Sequence, residues 1–101
     1  MTKKTIYNLI HKYRANLEKE GIPVTKVILF GSQAKGTAHK WSDIDVCVVS
    51  PLFGKDRHSE RVMLMNQRLD TTIEPHPYSP DELLDPYDPL ATEIRNTGVA
   101  V

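Results

Sequence analysis

Near the start of the chain, Ile6, Leu9, Ile10, Tyr13 and Leu17 recur at three- and four-residue intervals, with Lys, Arg, Asn and Glu between them. This spacing predicts an amphipathic helix stopped by Gly21, its apolar stripe lying on a sheet. The pattern then changes period. Val24 to Phe30 is rich in β-branched and large apolar residues and runs into Gly31, as a mostly buried strand does. Asp43 to Val49 reads as a second such strand, closed by Ser50-Pro51. The polar segment from Leu52 to Glu60 reads as a loop. From Ser59 onward, Val62, Met65 and Leu69 mark a second helix, expected to cross the sheet. Thr71 to Tyr78 reads as a third strand. Its Pro75 and Pro77 are two positions apart, so their missing N–H groups fall on one side and leave only the other side able to pair fully. An edge strand is expected.

The tail carries helix-start chemistry. Ser79 stands as N-cap, Pro80 in the first helical position and Glu82 three residues after the cap, which together spell a capping box. A second start follows at Asp88-Pro89, with Leu90 and Ile94 on one face and Gly98 as the stop. The order α-β-β-α-β-α-α predicts an α/β (α+β) fold, a small mixed β-sheet covered by helices. No repeat and no low-complexity segment interrupts it.

Composition narrows the function classes. At 101 residues the chain has room for one core, so a single domain spanning residues 1–101 is expected. Thirteen Lys and Arg balance 13 Asp and Glu, which argues against binding nucleic acid mainly through phosphates, although selective contact stays open. Cys47 is the single cysteine, so there is no disulfide framework and a reducing compartment fits. No apolar run approaches membrane-spanning length and the start lacks a signal peptide's apolar region. A soluble cytoplasmic protein with no membrane contact is expected.

One feature resists a purely structural explanation: the second strand opens with two aspartates on one face. Side chains alternate along a strand, so Asp43 and Asp45 share a side while Ile44, Val46 and Val48 take the other. Two carboxylates roughly 6 to 7 Å apart repel unless a positive charge lies between them. Oxygen-only ligands suit Mg²⁺ or Mn²⁺, and Mg²⁺ in particular is held by one or two carboxylates together with substrate phosphates. Just upstream, Gly31 lets backbone N–H groups approach an anion, Ser32 adds a hydroxyl, and a short helical turn runs to Gly36. A Gly-Ser pair alone is usually a turn, and a lone Ser-Asp-Ile-Asp is as often a solvated strand start.

Together the residues say more. Gly31, Ser32, Ala34, Gly36, Ser42, Asp43 and Asp45, as G-S-x-A-x-G followed by S-D-x-D entering an apolar strand, resemble the signature of the nucleotidyltransferase superfamily that includes DNA polymerase beta. The chain is most similar to its minimal nucleotidyltransferases, from the first helix to Gly98. The resemblance implies a nucleotidyltransferase fold and an Mg²⁺- or Mn²⁺-dependent enzyme. It implies that Gly31 and Ser32 hold a nucleoside triphosphate, that Asp43 and Asp45 bind one or two metal ions, and that a carboxylate on a later strand completes the set. Glu74, the one acid inside the third strand, is the candidate. Catalytic and metal-binding residues are thus Asp43, Asp45 and Glu74; nucleotide-binding residues are Gly31, Ser32, Lys35 and Ser42.

In such a site an acceptor hydroxyl attacks the α-phosphate in line and pyrophosphate leaves, with two metals about 3.5 to 4 Å apart serving the two oxygens. Larger relatives carry a further domain to supply an acceptor, and none is expected within these 101 residues. The resemblance therefore implies a partner in trans, a helical HEPN-type toxin, to whose hydroxyl AMP from ATP is moved; a homo-oligomer also stays open. The alternative, from another class, is a catalytically silent antitoxin or binding module that neutralises its partner by contact alone. Of the remaining residues, Lys35 is either a phosphate contact or a solvated loop lysine, and His76 either lies beside the metal site or, as is the more usual case, is an exposed edge-strand histidine. Trp41, beside Lys40, is expected to pack over the strand, and Cys47 to be a small core residue. Tyr78 and Tyr87 either form a partner surface or cover the sheet edge.

Overall fold

The computed structural model describes residues 1–39 and 42–101; Lys40 and Trp41, and the packing expected of Trp41, lie outside the described residues. Helix α1 spans Lys3–Lys19, opened by the Thr2 hydroxyl accepting the Thr5 amide at 3.1 Å. Ile6, Ile10, Tyr13 and Leu17 form its buried stripe, and the chain leaves the helix at Gly21 with a φ of 87°. A four-stranded sheet follows in the spatial order β3-β2-β1-β4, with β1 at Lys26–Phe30, β2 at Ile44–Val49, β3 at Ile73–Tyr78 and β4 at Val99–Ala100. Strand β1 is antiparallel to both β2 and β4, whereas β2 and β3 run parallel, so the sheet is mixed as expected. The two-residue β4 has no counterpart in the sequence reading.

Both faces of the central strands are covered, which is why their sequences are near-continuous apolar runs. On one face Val27, Leu29, Ile44, Val46, Val48 and Ile73 pack with the α1 stripe. On the other, Ile28, Phe30, Cys47, Val49 and Tyr78 pack with Leu83 of α4, Pro80–Leu83, and with Ala91 and Ile94 of α5, Pro89–Thr97 (here α2 is the short helix Ser32–Lys35 and α3 is Arg57–Asn66). The expected capping box is present: the Ser79 hydroxyl accepts the Glu82 amide while the Glu82 carboxylate accepts the Ser79 amide. Asp88 caps α5 as its sequence implies, accepting the amides of Leu90 and Ala91.

Strand β3 is an edge strand, and the prolines show why. The Thr72 carbonyl accepts from Ile44 and the Tyr78 carbonyl from Ser50, so the backbone groups of the even-numbered residues point to β2 and the nitrogens of Pro75 and Pro77 point to the open edge, while their rings are buried. An edge without those donors is a poor template for another strand.

Helix α3 departs from expectation. It begins at Arg57 rather than near Ser59, with Asp56 as N-cap, and ends at Asn66. Leu64 is its fully buried residue, while Val62 and Leu69 are exposed, Leu69 lying beyond the helix. The helix lies along the β3 edge instead of over the middle of the sheet, so only one turn reaches the core. There the Tyr13 hydroxyl donates to the Leu64 carbonyl at 2.6 Å, and burial raises the Tyr13 pKa above its usual value. From the same edge Arg57 lies over the Tyr78 ring at 4.3 Å.

Candidate active site

Register brings the site together. Phe30 at the end of β1 stands opposite Asp45 in β2, so the turn at Gly31 falls beside the aspartate. Gly31 has φ 73° and ψ −154°, a region reserved for glycine, and a Cβ built there would lie 2.5 Å from Asp45 Oδ2 and 3.3 Å from its Cγ. The missing side chain is therefore what lets the carboxylate sit against the turn. The Gly31 carbonyl accepts the amides of Ala34 and Lys35 and winds α2; the amides of Ser32 and Gln33, opening that turn, have no intrahelical acceptor. Gly36 ends α2 in the left-handed region.

On the other side of Asp45, parallel pairing sets Glu74 directly in register with it, so both carboxylates project from the same face. Asp43 lies just before β2 and is exposed. Among the described residues no three His, Cys, Asp or Glu side chains are gathered closely enough to hold an ion. At Glu74, Arg61 Nη2 approaches Oε2 at 3.3 Å and Arg68 Nη1 approaches Oε1 at 3.7 Å. Arg68 is itself anchored, donating to the Ile73 carbonyl at 3.0 Å. Asp43 and Asp45 supply carboxylate oxygens, the donor chemistry that suits a hard divalent cation.

The remaining candidates are distributed as follows. Lys35 pairs with Glu93 of α5 at 2.9 Å, a surface ion pair in which the lysine side chain remains 44% exposed. The Ser42 hydroxyl accepts the His39 amide at 2.9 Å and closes the loop leading to the aspartates. His76 is half-buried rather than exposed: its ring meets Phe30 edge-on at 5.3 Å and its Nε2 lies 3.9 Å from Asp45 Oδ1. Cys47 is a core residue as expected, its thiol pushed up to about 12 by burial. The two tyrosines separate: Tyr78 is buried with its hydroxyl donating to Asp88 at 2.8 Å, whereas Tyr87 is exposed. Arg61, Arg68 and Glu93 carried no signal in the sequence, since each reaches its partner from a different element.

These elements occur together in known proteins. The family described as nucleotidyltransferase domain matches residues 10–91. A candidate nucleotidyltransferase from Sulfolobus solfataricus has the same fold, with a TM-score of 0.72 and 16% identity over 95% of this chain and 78% of its own. The chain is also similar to one in a toxin-antitoxin structure with AMP-PNP, with a TM-score of 0.55 and 25% identity over 88% of this chain and 69% of that one. No curated protein gives a significant match. With the strand, glycine turn and acidic strand falling inside the matched span, the chain belongs to the nucleotidyltransferase domain family.

Proposed function

We propose that this nucleotidyltransferase moves AMP from ATP to a hydroxyl of a protein partner, a helical HEPN-type toxin for which it serves as antitoxin. The observation that carries the proposal is the approach of the Asp45 carboxylate to Gly31, which sets an acidic group against the glycine turn. In this reading the Gly31–Gln33 turn receives the triphosphate through backbone amides, with the Ser32 hydroxyl as a further donor. Asp43 and Asp45 would hold Mg²⁺ or Mn²⁺. When bound, such a cation neutralises phosphate charge and makes the acceptor hydroxyl easier to deprotonate. Glu74 takes the third place in the acidic set, and Ser42 keeps the loop in shape. Lys35, fixed by Glu93, adds positive charge beside the turn. The similarity to a chain of a toxin-antitoxin structure with AMP-PNP supports both the nucleotide and a protein partner.

A second reading has its own observation. Glu74 is engaged by two arginines, which suits a binding module that neutralises its partner by contact alone. The two separate in one experiment. The protein is incubated with Mg²⁺ and each labelled triphosphate, alone and with the product of the adjacent gene, beside Asp43→Asn. Transfer of label from ATP to the partner, lost in Asp43→Asn, is expected. Transfer that survives the substitution removes the mechanism, and no transfer to any partner favours the binding module.

A further inference from the structure

Arg61 differs from the other arginines of the molecule in what it touches. Arg57 is bound into a network with Glu82, Asp88 and Tyr78, and Arg68 holds backbone carbonyls at Thr71 and Ile73. Arg95 holds those of Leu83 and Asp85. Arg61 has Glu74 as its one polar partner among the described residues, and its side chain is 44% exposed. It extends from α3 around the β3 edge to a carboxylate in register with Asp45. Each oxygen of Glu74 thus meets a guanidinium, with the fixed Arg68 on one and Arg61 on the other.

We infer that Arg61 is a positioning residue that stands in for the cation at Glu74, so that guanidinium and metal compete for this carboxylate; the inference rests on the proposed cation site. Two carboxylates side by side on parallel strands repel when nothing positive is near. Arg61 relieves that repulsion in the metal-free protein. The pair is partly exposed and hence weak enough to be displaced. An arriving triphosphate offers the guanidinium another anion, for which its planar fork is well suited, and frees Glu74 at the moment a cation is delivered. Arg61 would thereby link cation binding to nucleotide binding. Because such coupling is reciprocal, whatever Arg61 gains at Glu74 the cation must lose.

The test is Mn²⁺ binding to the full chain followed by electron paramagnetic resonance, with and without an ATP analogue that cannot be cleaved between its α- and β-phosphates. From the strength of exposed ion pairs, Arg61→Ala should bind Mn²⁺ about two- to fivefold more tightly than the wild type, and Arg61→Lys about equally to it. The analogue should raise Mn²⁺ affinity less in Arg61→Ala than in the wild type. In a Glu74→Gln background Arg61→Ala should change nothing, the signature of a direct coupling between the two residues. Thermal melts confirm folding, and Arg68→Gln, which leaves Arg61 in place, provides a second variant expected to tighten Mn²⁺ binding in the same direction. Unchanged or weaker Mn²⁺ binding in Arg61→Ala overturns the inference, as does a gain that persists without Glu74. If Asp45→Asn binds Mn²⁺ as well as the wild type, or no variant binds it, the cation site itself is absent and the inference falls with it. If Asp45→Asn loses Mn²⁺ and Arg61→Ala is silent, the site stands and only the role of Arg61 falls.

Discussion

Substituting Gly31 by alanine probes the contact on which the site is built. Two separate costs arise. The backbone at φ 73° and ψ −154° lies in a region that residues with a Cβ avoid, at about 1–3 kcal/mol. The new Cβ would also lie 2.5 Å from Asp45 Oδ2, 3.3 Å from Cγ and 3.4 Å from Cβ. Rotation of the carboxylate relieves the oxygen, but Cγ must yield as well, so the packing cost falls at the lower end of the usual range, about 1 kcal/mol. A total of about 3 kcal/mol lowers the melting midpoint of a domain of this size by about 12–24 °C while leaving it folded at room temperature. Scanning calorimetry and urea titration measure this directly. The decisive comparison is made in an Asp45→Ala background, where the obstructing carboxylate is gone and only the backbone cost remains. There the glycine substitution should be milder by about 1 kcal/mol, above the scatter of independent sites. Strict additivity of the two substitutions, or an unchanged midpoint in Gly31→Ala, would refute the close approach.

Two further outcomes follow from buried hydrogen bonds outside the site. Burial pushes the Asp88 pKa up, but the Tyr78 hydroxyl, the Ala91 and Leu90 amides and Arg57 outweigh it and hold the carboxyl below its ordinary range. A depressed folded-state pKa contributes stability above the unfolded value near ~3.9, lost as the pH falls through that region. Asp88→Asn keeps a competent cap but no longer titrates, so its stability deficit near neutral pH should shrink between about pH 5 and pH 3. A deficit independent of pH in urea melts would show that the charge is immaterial. Tyr13→Phe leaves the buried Leu64 carbonyl without its donor and should cost about 1–3 kcal/mol, seen as a lower urea midpoint at constant slope. No shift would mean that another donor takes over.

Legibility in the sequence followed the distance over which information is encoded. The α1 stripe, the capping box at Ser79 and the outward prolines of β3 are local facts: each is fixed by neighbours within one or two turns or by strand parity, and each appears where the pattern puts it. Helix α3 was misjudged because periodicity marks which residues are apolar without saying how much of the helix meets the core. With α3 at the edge of β3, Leu64 is buried while Val62 and Leu69 are exposed, and the sheet has no place for a full stripe. Strand β4 was missed for a related reason. Two exposed residues at the end of α5 carry no alternation to recognise, and they pair only because β1 has a free edge there.

The acidic face divides along the same line. Asp45 against Gly31 is legible because a strand, a turn and the next strand are contiguous, and antiparallel pairing of β1 with β2 forces their ends together. Glu74 was picked out by the resemblance as the one acid of the third strand, and its register with Asp45 comes from the parallel pairing of β3 with β2. What no local pattern specifies is the charge that balances them. Arg61 arrives from α3 and Arg68 from the following loop, while Lys35 is claimed by Glu93, 58 positions away. The question raised by two like charges on one face thus has a different answer for each carboxylate. Glu74 is paired within the chain with two guanidinium groups, whereas Asp43 is exposed and the partly exposed Asp45 lies against Gly31, with His76 Nε2 3.9 Å from its Oδ1. Under the proposed cation site, that inequality would keep the acidic face stable when empty while leaving Asp43 and Asp45 as available ligands.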